Sequence, residues 1–150
     1  MTLKIREPGS AITHFIAMLL ALFSAAPLLV RTSLRSGSTS LAAMSVFICS
    51  MILLYGASTL YHSVNASGKI IRIFKKLDHM MIFILIAGTY TPVCLITLKG
   101  PVGFLLLAAV WGIALTGIII KACWISCPKW FSSALYISMG WICLSVFGTL

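Results

Sequence analysis

The sequence predicts an all-α membrane protein of five transmembrane helices, and three observations carry that prediction. Of its 150 residues, 61% are hydrophobic and 9% charged, with a mean hydropathy of +1.12, far outside the usage of soluble domains. Five apolar runs each hold about 20 residues, the number that crosses roughly 30 Å of hydrocarbon at about 1.5 Å per residue. Lys and Arg lie between those runs rather than on one face of them.

The first span takes residues 11–30 and is closed by a polar loop, 31–40. Lys4 and Arg6 ahead of it resemble a secretory signal, but the run is too long for one and Pro27 follows the small-residue stretch 24–26, so it reads as a retained helix. The second span, 41–62, leads through Asn65, Ser67 and Gly68 into KIIRIFKK at 69–76, whose interleaved charges suit a short amphipathic helix on the membrane surface. The third, 77–98, contains Pro92, which predicts a kink because proline lacks the backbone donor. Lys99, Gly100 and Pro101 make a tight turn into the fourth, 102–120. The fifth, 131–150, stops inside apolar sequence, as a chain cut short would. Small residues allow close helix approach in lipid, and Ala108, Gly112 and Thr116 on the fourth span, with Gly140 and Gly148 on the fifth, are the candidates.

The net charge of +9 sets eleven Lys and Arg against Glu7 and Asp78. Nucleic acid would need a basic face, and none is present, so the partners predicted are membrane lipids. Counted by side, the N-terminus and the second and fourth loops carry eight basic residues, the opposite side three. The positive-inside rule then places the N-terminus in the cytoplasm of a cell-membrane protein, with Tyr61, Trp124 and Trp130 at the inner boundary. Nothing in the sequence fixes an oligomeric state. The five cysteines form no disulfide framework; Cys123 and Cys127 stand four apart but lack two further zinc ligands and read as free thiols.

That orientation puts Glu7, His14, His62, Asp78 and His79, every acid and every histidine, at one level. Span ends tolerate such residues, yet only one of the two interfaces uses them, which suits a polar site at that depth. Ser58 and His62 are one helical turn apart, so the hydroxyl either holds an imidazole nitrogen or bonds back to the carbonyl of Leu54. Asp78 opens the third span as a helix cap, a partner of Lys75 or Lys76, or a site carboxylate. His79 points about 100° away from it. His14 has Ser10 one turn back as its nearest partner.

These residues carry a resemblance. REP at 6–8 followed by AITH at 11–14, YGASTLYH at 55–62, and LDH at 77–79 leading to AGTYTP at 87–92 are similar, in order and spacing, to the haemolysin III branch of the progestin and adipoQ receptor family. The resemblance implies the first five helices of a seven-helix bundle and a zinc site like that of membrane lipid-amide hydrolases. It implies His62 as a zinc ligand, with Ser58 and Asp78 holding or deprotonating the metal's water. The two other ligands of that site belong to an H-x-x-x-H on a seventh helix, a motif absent from these 150 residues. A catalytic zinc takes three protein ligands, so this chain is not expected to retain the ion.

The function implied is membrane lipid homeostasis through hydrolysis of a lipid amide or ester. A non-enzymatic membrane sensor or receptor is the alternative. A pore-forming haemolysin is the third, although the spans carry no polar stripe to line a water-filled path.

Overall fold

The computed structural model describes residues 5–124 and 128–144, and every element in them is helical. The helices are α1 (Pro8–Arg35), α2 (Ser38–Ser63), α3 (Gly68–Pro92), α4 (Gly100–Cys123) and α5 (Lys129–Trp141), with a π-helical segment, Val93–Leu98, continuing α3. Four are long and apolar enough to cross a membrane: α1, α2, α3 with its π continuation, and α4. The described part of the fifth, 13 residues, rises about 20 Å and does not by itself reach across. Lys4, Cys127, Gly148 and the end of the fifth expected span lie outside the described residues.

Three boundaries differ from the sequence expectation for one reason: an apolar run marks bilayer depth, whereas a helix ends only where its backbone pairing ends. α1 runs on to Arg35, since Thr32 and Ser33 turn their hydroxyls onto the carbonyls of Leu28 and Val30 and stay helical. The expected loop 31–40 shrinks to Ser36 and Gly37. KIIRIFKK is no separate surface helix but the first turns of α3, which starts at Gly68 behind Ser67. Asp78 is therefore a mid-helix residue and no cap, and Lys76 reaches the Ala122 carbonyl at 2.6 Å rather than Asp78.

At Pro92 the missing donor changes the helix type, and the wider π turn takes up the lost pairing. Lys99, at φ 48°, bonds its amide to the Cys94 carbonyl at 3.2 Å and, with Gly100 at φ 65°, reverses the chain as expected.

The core lies between α3, α4 and α5: Phe83, Ala87, Tyr90 and Cys94 face Leu106, Val110, Ala114 and Met139. The small-residue face foreseen on α4 is the wrong one. Ala108, Gly112 and Thr116 are exposed, and α4 packs instead through Gly103, Leu106, Val110, Ala114 and Gly117. Gly117 fixes that choice, because the Phe83 ring occupies the space of its absent side chain. Gly140, the described candidate on α5, is likewise exposed with nothing near it. Tyr90 ties α5 down, donating to the Met139 carbonyl at 2.7 Å and accepting from the Cys143 amide at 2.9 Å.

Candidate functional site

The polar site is assembled by α1 lying along α2, which clips the two together at two levels. At the outer level the Glu7 amide donates to the His62 carbonyl at 3.0 Å, and His62 Nδ1 donates to Glu7 Oε2 at 2.6 Å. The hydrogen bond from His62 holds the Glu7 carboxyl below its ordinary value, helped by the charges of His62 and Arg6 and opposed by burial. Arg6 lies over the Tyr61 ring with its guanidinium carbon 4.1 Å from the centroid. Its Nε stands 3.2 Å from Glu7 Oε1 without hydrogen-bond alignment, and Nε and Nη2 are buried with no acceptor. Two turns into α1, His14 Nδ1 bonds the Ser58 hydroxyl.

Two sequence alternatives are settled by those clips. Ser58 bonds neither His62 nor the Leu54 carbonyl but His14, and His14 passes over Ser10 for a partner on the next helix. The S-x-x-x-H spacing does put both side chains on one face of α2. That face meets α1, and the His14 and His62 rings end 5.4 Å apart, edge to face.

Asp78 reaches the same place from α3. It is 9% exposed, and no described hydrogen bond or ion pair touches its carboxylate. With His14, Ser58, His62, Tyr55, Leu54 and Ile82 it lines a cavity of about 250 Å³. His79 is directed elsewhere, its Nδ1 on the Lys75 carbonyl at 2.7 Å. It faces a second, larger cavity of about 490 Å³ that His62 and Asp78 also border. Lys121, by sequence one of the basic residues that close the fourth span, is 4% exposed on the wall of that cavity. A lone lysine closing an apolar run gives no signal of which way it turns.

His62 is presented as a metal ligand would be: a carboxylate fixes Nδ1 and leaves Nε2 for an ion. The rest of a zinc site is not assembled here, since no three His, Cys, Asp or Glu among the described residues stand close enough to hold an ion. Cys123 is a free, exposed thiol.

Comparison with other proteins agrees with this architecture. A family model described as haemolysin-III related matches residues 3–150. Hemolysin-3 of Bacillus cereus is 42% identical over 136 residues, covering 91% of this chain and 62% of that relative. A Hemolysin-3 homolog of Bacillus subtilis (strain 168) is 39% identical over 136 residues, 91% of this chain and 63% of the relative. The chain thus spans less than two thirds of the length of these relatives. No solved structure matches. A match over nearly the whole chain, on four membrane-length helices, means that the chain belongs to the haemolysin III family of integral membrane proteins.

Proposed function

We propose that this chain forms one wall of a hydrolytic site for membrane lipids, in a cell-membrane protein whose N-terminus faces the cytoplasm and whose role is lipid homeostasis. The observation that carries the reading is Asp78: a buried carboxylate without a described partner, bordering the cavity into which Ser58 and His62 also project. A carboxylate in that setting is placed to accept a proton from water as the water attacks a lipid amide or ester carbonyl. Ser58 and His14 hold each other, and Glu7 orients His62. Of these residues His62 fits zinc as a ligand, and the described residues do not complete a set.

The test uses a full-length haemolysin III relative in nanodiscs, with the substitutions made at the positions that match His62 and Asp78 of this chain. Cobalt or zinc titration should show binding that His62→Ala abolishes, and a labelled ceramide-like lipid should be hydrolysed only while Asp78 is present. Metal binding untouched by His62→Ala rejects His62 as a ligand. Absence of lipid turnover with His62-dependent metal binding intact favours a sensor or receptor. The relatives' name carries one further reading, membrane lysis through a pore, for which conductance across a planar bilayer is the measurement.

A further inference from the structure

The larger cavity shares His62 and Asp78 with the proposed hydrolytic site and adds groups that lipid hydrolysis does not use. Its volume of about 490 Å³ is of ligand-binding size, and α2, α3, α4 and α5 each contribute to its wall. Two of its wall residues are lysines, Lys75 from α3 and Lys121 from α4, and α5 adds the hydroxyls of Ser132, Ser133 and Tyr136. Lysines at span ends ordinarily extend toward the headgroups. Lys121 instead turns inward, 4% exposed, and donates to the Ser132 hydroxyl at 2.5 Å. Lys75 is partly buried beside the same space. The neighbouring cations lie outside this wall: Lys76 reaches the Ala122 carbonyl, and Arg72 is exposed.

We infer that this cavity binds the headgroup of an anionic phospholipid, its phosphate taken by Lys75 and Lys121 with the hydroxyls of Ser132 and Ser133 as further donors. Basic pockets between transmembrane helices receive such headgroups because the ammonium groups are drawn from water into a region where their field is little screened. Asp78 is the one carboxylate on the wall, against two ammonium groups and the imidazoles of His62 and His79. Having no described partner, it selects a headgroup that brings a donor of its own. Glycerol hydroxyls supply one, and choline has none. The inference stands whether or not a metal binds at His62.

Phosphate is the shared chemistry, and a lipid and the free ion are its two sources. The chain is delipidated in detergent and its adducts with phosphatidylglycerol, phosphatidylcholine and inorganic phosphate are measured by native mass spectrometry. Phosphatidylglycerol should bind in preference to phosphatidylcholine, and Lys75→Gln should weaken it about fivefold. Arg72→Gln, which removes an equal charge from the exposed face of the same helix, should leave it unchanged. Lys121→Gln should act like Lys75→Gln, and where that buried change prevents folding, Lys75→Gln alone decides. Lys75-dependent phosphate binding without lipid preference keeps the site and assigns it to the free ion. Equal binding of both lipids with no phosphate adduct, or equal loss in Arg72→Gln and Lys75→Gln, overturns the inference.

Discussion

Gly88→Ala should push α2 away from α3. A side-chain carbon added at Gly88 would lie 2.3 Å from Ser50 Oγ and 2.7 Å from Ser50 Cβ. That is 1.1 Å inside the 3.4 Å at which ordinary contact begins, taking 3.4 less 2.3. Ser50 is 2% exposed, and its hydroxyl is held by the Phe47 carbonyl at 2.6 Å. Rotating the hydroxyl away breaks that bond and still leaves the Cβ clash, so the helices must separate. Overpacking of this kind costs about 1–3 kcal/mol, which at this chain length lowers the melting temperature by about 2–12 °C. Ser50→Gly removes both clashing atoms. The double variant Gly88→Ala, Ser50→Gly should therefore melt above the sum of its parts, with a coupling of about 0.5–3 kcal/mol. Thermal unfolding of the four proteins in one detergent measures the cycle. A Gly88→Ala protein within about 0.5 kcal/mol of the parent, or a penalty that Ser50→Gly leaves untouched, refutes the close approach.

Two further outcomes follow from the same contacts. The Glu7 carboxyl is held below its ordinary value of 4.5, so its bond with His62 contributes fully above that pH and is lost as pH falls through the lowered value. Hydrogen exchange at the Glu7 amide, corrected for intrinsic rate, should speed up over that acidic window, and Glu7→Gln should abolish the pH dependence. Tyr90→Phe leaves the Cys143 amide and the Met139 carbonyl without their bridge, a loss of about 1–3 kcal/mol. Exchange at Cys143 should rise while that of α1 and α2 is unchanged; equal loosening of all the helices would show that Tyr90 is not a local tie.

Depth was legible in the sequence, and direction around each helix was not. Four of the five expected spans correspond to membrane-length helices, because hydrocarbon thickness imposes a run length that composition alone reveals. The shared level of Glu7, His14, His62, Asp78 and His79 was legible for the same reason; direct contacts now join Glu7 to His62, and His14 to Ser58 one turn from it, while His79 bonds its own helix. Which partner each side chain takes was hidden. Ser58 has His62 at the right spacing within its own helix, yet a bond to His14 across the interface wins, and no periodicity reports on a neighbouring helix. The small residues of α4 form two faces of equally good helical spacing. Only the Phe83 ring, arriving from α3, shows that Gly117 and not Gly112 is the one enclosed.

That distinction bears on Asp78. At this depth an ionisable side chain is costly unless something offsets it, and its neighbours are all offset: Glu7 by His62, His14 by Ser58, His79 by the Lys75 carbonyl. Asp78 is more enclosed than the Glu7 carboxylate and has no described protein partner of its own. A residue kept only to hold α3 in place would serve better as an apolar side chain, which at a helix interface carries no desolvation cost. A carboxylate that borders two cavities is instead what a site requires of a group that must meet something the described residues do not supply. Asp78→Leu should accordingly leave the melting temperature unchanged or raised, while abolishing whichever of lipid turnover or headgroup selection depends on it. A large fall in stability would mean that Asp78 is a structural anchor, and the case for a site at this level would go with it.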